Sequence, residues 1–427
     1  MNSIETIYQH FTKAYKVTTD SRKVEQDAVF FALKGENFDA NDFALQVADE
    51  GVASLVVADR KDLPKHERIL IVEDSLKALQ DLAAYHRSQS RALVLSITGT
   101  NGKTTTKELV SAVLAQKYNI IHTMGNLNNH IGVPLTLLSI RPESEIAVVE
   151  MGANHPGEID FLCKIADPDY GLITNIGKAH LEGFGSFEGV IKTKTELYRH
   201  IKNHGKAVFV NQGNPLLWEQ SEGIERISYG RHCGAFCPVA PGACNPYLSV
   251  IWRKQLVQTH LVGSYNFENV AAAIGVGQFF KVDDDKIVEA LEAYTPTNSR
   301  SQVVETGKNR VIMDAYNANP TSMRAALINF HTICGENHLL VLGDMRELGT
   351  ASEEEHRNIL RLMKELGFKE ALLVGPNFCA YNENAEWKTF DNVMDLCQYL
   401  EGHPVSEKTI LVKGSNSIQL GKVLPLL

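Results

Sequence analysis

The chain has 427 residues, 44% hydrophobic and 22% charged, the usage of a folded chain with a buried core and not of a disordered one. Lysine and arginine number 42 against 51 acidic residues, a formal net charge of −9. That balance argues against a broad nucleic-acid or anionic-membrane surface but leaves room for a phosphate held by one loop. No apolar run reaches transmembrane length, and MNSIETIYQHF lacks the pattern of a secretory signal. Seven scattered cysteines suit free thiols in a reducing cytoplasm.

Short apolar runs alternate with helical patterns, which predicts βα units around mostly parallel sheets. In the first piece, residues 1–88, the predicted strands are Val29–Leu33, Ser54–Ala58 and Ile69–Val72, and the predicted helices Asp42–Glu50 and Ser75–Arg87. The polar HRSQSR at 86–91 reads as a linker. The second piece, 89–296, has predicted strands Ala92–Ile97, Ile146–Glu150, Leu172–Asn175 and Ala207–Asn211 and closes on a helix at Asn269–Phe280. Residues 214–262 read as a β-rich excursion. Within it His232, Cys233, Cys237 and Cys244 lie close together, but not at zinc-finger spacing, so ordinary thiols are expected. Turn formers at Tyr294–Ser301 mark the second boundary. The third piece, 297–427, has predicted strands Arg310–Asp314, Leu339–Gly343, Ala371–Gly375 and Thr409–Lys413. Its helix Ser352–Leu366 opens on Ser352-x-x-Glu355, the pattern of a capping box.

The strongest chemical signal is Gly99-Thr100-Asn101-Gly102-Lys103-Thr104-Thr105. It follows a strand and precedes a helix pattern at Thr106–Tyr118, the setting of a phosphate loop. Glycine lets the backbone approach the anion, Lys103 reaches the β- and γ-phosphates, and the Thr104 hydroxyl holds Mg²⁺. The pattern is a shortened form of the usual loop, and a glycine turn before a helix cap is the competing explanation. Glu150 ends an apolar strand, where a carboxylate binds a metal or simply faces solvent. His180, in a loop after the strand GLITNI, is either a metal ligand or a surface histidine.

Beyond this loop, GNLNNHIGVPLTLL (125–138), VVEMGANHPGEI (148–159) and NIGKAHLEGFGSFEGV (175–190) follow in order. SYNFENVAAAIGV (264–276), MDAYNANPTSM (313–323) and VLGDMRELG (341–349) complete the set. Together these segments resemble the Mur ligases. The resemblance implies a three-domain α/β architecture: an N-terminal domain for a UDP-sugar, a central P-loop ATPase domain and a C-terminal Rossmann-like domain. It implies a cytoplasmic, ATP-dependent ligase of peptidoglycan precursor synthesis, working as a monomer on small molecules, without nucleic acid or a membrane span. YNANP with LGDMRELG points to the branch that adds D-alanyl-D-alanine to UDP-N-acetylmuramoyl-tripeptide. Against it stand another amide ligase of the superfamily, adding the third residue or extending folate, and a nucleotide-binding homologue without catalysis.

Family roles carry over residue by residue. Lys103 matches the phosphate-loop lysine, and Thr104 and Glu150 match ligands of a Mg²⁺ on the β- and γ-phosphates. His180 matches a ligand of a second Mg²⁺. Lys194, in KTKTEL, matches a lysine carbamylated by CO₂, with Lys192 as its rival. Asn266 and Asn269 match residues near the adenine, although Asn269 also suits a helix N-cap. Arg300 and Asp314 match inter-domain contacts to ribose and phosphate. Substrate contacts are expected from Ser21 and Arg22 on the uridine diphosphate side, from Asn128 and Asn129, and from Asn317 and Asn319, although NANP also suits a turn. Asp39-Ala40-Asn41 departs from the family's Asp-Gly-His, and Asn416 stands where the family has arginine. A site divided between two pieces predicts a hinge at Tyr294–Ser301 and a third piece swung away, with Asp314 out of reach of the phosphate loop.

Overall fold

The structure, a computed structural model, describes residues 3–179, 181–297 and 300–427. In the first domain Val17–Thr18 (β1), Val29–Phe31 (β2), Leu55–Ala58 (β3) and Ile69–Ile71 (β4) form a parallel sheet in that order. β2 and β3 are buried throughout, as parallel strands covered on both faces must be. Val29, Phe31, Leu55 and Val57 face the helices Ser3–Phe11 and Ser75–Gln89, and Phe30 and Val56 face the helix Ala44–Glu50.

The predicted linker at 86–91 is instead largely the end of the helix Ser75–Gln89. His86 is buried, with Nε2 3.0 Å from the Ile140 carbonyl oxygen. Arg87 donates to the carbonyls of Ala166 (3.0 Å) and Asp167 (2.9 Å) and pairs with Asp169 at 2.9 Å. These side chains are polar because they satisfy carbonyls of the second domain, and they fasten the first domain to it.

The second domain is a seven-stranded parallel sheet. Its strands are Leu93–Thr98 (β5), Ile120–His122 (β6), Ile146–Glu150 (β7), Tyr170–Ile173 (β8), Ala207–Asn211 (β9), Arg226–Gly230 (β10) and Cys237–Pro238 (β11). Their spatial order is β11-β10-β9-β8-β5-β7-β6. The chain turns to opposite sides of β5 before β6 and before β8, which makes the carboxyl end of β5 a switch point where open sheets bind ligands. Ala240–Cys244 (β12), Tyr247–Trp252 (β13) and Gln255–Val262 (β14) follow as an antiparallel sheet.

In the third domain Gln302–Glu305 (β15), Arg310–Asp314 (β16), His338–Gly343 (β17), Ala371–Val374 (β18), Lys388–Phe390 (β19) and Thr409–Lys413 (β20) form a sheet of order β15-β16-β20-β17-β18-β19. Only β15 is antiparallel to its neighbour. The capping box expected at Ser352 does not form. A 3₁₀ turn at Gly349–Ala351 runs straight into the helix, so Ser352 is already inside it. Glu355 reaches across to Lys178 of the second domain at 2.9 Å instead. A capping box does form at Asn319 and Ser322, opening the helix Pro320–Ile333.

Candidate active site

The phosphate-loop segment joins β5 to a helix that starts at Lys103, three residues before the predicted start. Lys103, Thr104 and Thr105 therefore lie in its first turn, where free N–H groups and the helix dipole favour an anion. Two positions demand glycine. Gly102 has φ +77°, and a Cβ there would lie 2.5 Å from Asn269 Oδ1; a Cβ on Gly99, at φ +146°, would lie 2.0 Å from Thr174 Oγ1. Asn175, just beyond β8, holds the loop by accepting from Asn101 N–H (3.0 Å) and donating to its carbonyl (3.0 Å). The Lys103 ammonium is turned into the loop, donating to the carbonyls of Gly99 (2.8 Å) and Thr100 (3.1 Å). Burial lowers its pKa, with Glu150 opposing and Arg300 assisting.

Thr104 Oγ1 and Glu150 Oε2 are buried and have no hydrogen-bond partner. Buried polar atoms are rarely left so, and a hydroxyl and a carboxylate are oxygen ligands of the kind that a hard divalent cation takes. The residues present therefore fit Mg²⁺. The other carboxylate oxygen of Glu150 accepts from Asn128 Nδ2 at 2.8 Å. Lys194 is buried, with Nζ 3.4 Å from the Ala153 carbonyl oxygen. Burial, and then the charge of Lys103, lower its pKa to about 7, while Glu158 and Glu196 oppose. Lys192 is exposed. His180 lies outside the described residues.

The phosphate loop opens into a cavity of about 830 Å³ between the second and third domains. Lys103, Glu150, Asn266, Arg300, Asp314 and Asn317 all line it. Asn269 is not an N-cap, because the helix begins at Phe267. Its side chain donates to Asn266 Oδ1 (2.8 Å) and accepts from Thr106 Oγ1 (3.0 Å), which braces the phosphate-loop helix. From the third domain, Lys413 pairs with Asp314 at 2.6 Å. The Arg300 guanidinium stacks 3.7 Å over the Tyr316 ring, with Nε buried and unpartnered.

The third domain is not swung away. Asn319 Nδ2 donates to Asn101 Oδ1 in the phosphate loop at 2.7 Å, and Lys178 pairs with Glu355. The boundary is also richer in contacts than a hinge was expected to be. Ser301 has φ +52°, shares a hydrogen bond with Tyr265 (2.9 Å) and donates its N–H to Asp314 (3.3 Å). Asn298 and Ser299 lie outside the described residues.

Other expected contacts fall elsewhere. Ser21 and Arg22 sit in a 3₁₀ turn of the first domain and do not line the cavity; Arg22 is exposed and pairs with Asp20 at 2.9 Å. Asn129 lines the cavity, but its Oδ1 accepts from Ile131 (3.1 Å) and Gly132 (2.9 Å) N–H groups at the head of a helix. The Asn319 side chain caps its own helix besides reaching Asn101. Asn41 is buried between Asp39 and Asp59, and Asn416 is exposed in a turn. Cys237 is buried in the core, Cys233 is exposed, and Cys244 donates to the Pro246 carbonyl. Sequence reasoning passed over Asn175, Lys413 and Tyr316. The first two stand at strand ends, the same signal that singled out Glu150.

The description "Mur ligase family, catalytic domain" matches residues 13–87, "Mur ligase middle domain" 97–277 and "Mur ligase, glutamate ligase domain" 299–416. The chain is 35% identical over 426 residues to the UDP-N-acetylmuramoyl-tripeptide–D-alanyl-D-alanine ligase of Escherichia coli, covering 96% of this chain and 92% of that one. A crystal structure of MurF from Acinetobacter baumannii superposes with a TM-score of 0.84 at 32% identity, covering 96% of this chain and 93% of that one. MurF ligase from Thermotoga maritima, in complex with ADP, gives 0.83 at 26% identity, with 96% of each chain covered.

Proposed function

This chain belongs to the Mur ligase family, and from that premise we propose that its cleft joins D-alanyl-D-alanine to UDP-N-acetylmuramoyl-tripeptide, converting ATP to ADP and phosphate, in peptidoglycan precursor synthesis. The observation that carries this reading is one cavity in which the phosphate loop of the second domain faces Arg300, Asp314 and Lys413 near and in the third. A nucleotide bound to the first can be gripped by the second while the acceptor enters between them.

A carboxylate is a poor acylating agent, so the terminal carboxylate of the tripeptide attacks the γ-phosphorus. An O–P bond forms, the bond to the ADP oxygen breaks, and an acyl phosphate results. The dipeptide amine then attacks the acyl carbon; phosphate leaves, and the amine's proton passes to phosphate or solvent. The protein's work is positioning and charge neutralisation. The Lys103 ammonium and the loop N–H groups hold the phosphates. Asn266 and Asn269 border the adenine, and Arg300 and Asp314 take ribose and phosphate from the side of the third domain. Thr104 and Glu150 would hold one Mg²⁺, and His180 with a carbamylated Lys194 a second; when bound, the ions would supply charge neutralisation between the meeting anions. A neutral Lys194 amine adds CO₂ by forming an N–C bond and releasing a proton, which turns a cation into an anionic oxygen ligand. Ser21 and Arg22 take the uridine diphosphate from the first domain, and Asn128 and Asn317 face the acceptor.

The working unit is a cytoplasmic monomer with small-molecule partners and no nucleic acid. Among the described residues no helix is long and apolar enough to cross a membrane. Phosphate release measured with ATP alone, with each substrate and with both tests the reading. Release only when both are present supports it. Release with a folate or with a third-residue amino acid in place of the dipeptide would favour another ligase, and no release under any condition a non-catalytic homologue.

A further inference from the structure

Lys107 takes no part in the steps above, yet its side chain is completely buried. Burying an ammonium is costly, and an apolar residue of similar volume often serves stability as well or better. Its position suggests another use. Nζ donates to the Thr123 carbonyl oxygen at 2.6 Å and pairs with Glu108 at 2.7 Å. Thr123 follows directly on β6 and is itself buried, and its hydroxyl oxygen accepts the Glu150 N–H at 2.9 Å. On the other side, Lys107 lies three residues beyond Thr104 in the phosphate-loop helix, on the same helical face. The strand pairing already joins Thr123 to β7, since its N–H donates to the Val148 carbonyl at 3.0 Å. What Lys107 adds is the link from that strand pair to the helix.

We propose that Lys107 is a positioning residue for the metal site, a buried tie through Thr123 that fixes the Thr104 hydroxyl and the Glu150 carboxylate relative to each other. The two atoms it aligns, Thr104 Oγ1 and Glu150 Oε2, are both buried and unpartnered. The inference rests on the reading of those oxygens as metal ligands. It explains a buried charge at a site where packing alone asks only for an apolar side chain.

The test uses the full chain and two single variants, Lys107→Met and Thr123→Val, with Mn²⁺ as the probe ion, counted by its electron paramagnetic resonance in the presence of ADP. Each variant should raise the Mn²⁺ dissociation constant about tenfold, the lower end of the range for partners beyond the direct ligands. ADP binding in EDTA should match the wild type in both, and the melting temperature of Lys107→Met should not fall. A merely structural lysine would lower the melting temperature and weaken metal-free ADP binding together, which would overturn the proposal. So would Mn²⁺ affinity equal to wild type in Lys107→Met, whatever Thr123→Val shows. If Lys107→Met fails to fold, Lys107→Gln is read in its place by the same outcomes, while Thr123→Val tests the bond from Thr123 to the Glu150 N–H. A wild-type protein that binds ADP but no Mn²⁺ would overturn the metal-ligand reading and the tie with it.

Discussion

Lowering the pH from 8 to 6 at fixed CO₂ pressure should strip the carbamate from Lys194, and ligation should fall with it. Burial, reinforced by the charge of Lys103, brings the pKa of this amine from 10.5 to about 7. At pH 8 about nine in ten such amines are neutral, against about one in 300 for an ordinary lysine. At pH 6 about one in ten remains neutral. Only the neutral form has the lone pair that attacks CO₂, so the site enriches the reactive amine about 300-fold at pH 8. The assay is carbon NMR with ¹³C-bicarbonate, read for a carbamate carbon that is present at pH 8, fades by pH 6 and is absent in Lys194→Ala. The exposed Lys192 makes the control: Lys192→Ala should keep both the signal and the activity. Activity of Lys194→Ala should be lost and partly restored by a short carboxylate. The same shift affects stability. The folded pKa lies below the unfolded one, so the unfolded chain binds more protons between about pH 7 and 10.5. This group therefore destabilises fully below pH 7, and stability rises as pH climbs through that window. A wild-type protein fully active at pH 8 without a carbamate signal, or an active Lys194→Ala with an inactive Lys192→Ala, would refute the reasoning.

Lys103→Ala removes the ammonium that follows the γ-phosphate and should lower the ligation rate by about 10²–10³ or more; near-normal turnover in a coupled ADP assay would contradict the assignment. Gly102→Ala places a methyl group 2.5 Å from Asn269 Oδ1 at φ +77°. The backbone conformation alone costs about 1–2 kcal/mol, so calorimetry should show ADP binding weakened at least tenfold in a protein that still melts cooperatively. Asn319→Ala removes a helix cap, worth about 1 kcal/mol, together with the contact to Asn101. It should lower the melting temperature by a few degrees and enlarge the radius of gyration in solution scattering; an unchanged radius would mean that closure does not depend on this contact.

Local chemistry was readable wherever local residues suffice. The strands Ile146–Glu150, Ala207–Asn211, Arg310–Asp314 and Thr409–Lys413 have the predicted bounds, because buried parallel strands are continuous apolar runs ended by a polar residue. The phosphate loop was legible for a similar reason: glycines, lysine and hydroxyls must follow one another in sequence to surround an anion. What escaped were partnerships made across the chain. HRSQSR reads as a linker until Arg87 meets the carbonyls of Ala166 and Asp167. Ser352-x-x-Glu355 reads as a cap until Lys178 claims Glu355. Nothing local marks Lys107 as buried, since the carbonyl it binds belongs to Thr123, 16 residues further on. The closed arrangement was equally hidden, since Asn101 and Asn319 are 218 residues apart.

The most direct test of the central claim follows oxygen. UDP-N-acetylmuramoyl-tripeptide labelled with ¹⁸O in both oxygens of its terminal carboxylate is turned over with ATP and D-alanyl-D-alanine, and the released phosphate is analysed by mass. Attack of the carboxylate on the γ-phosphorus predicts one ¹⁸O in each phosphate and one left in the new amide. Phosphate free of ¹⁸O, with amide formed, would show that no acyl phosphate lies on the path and would contradict the account.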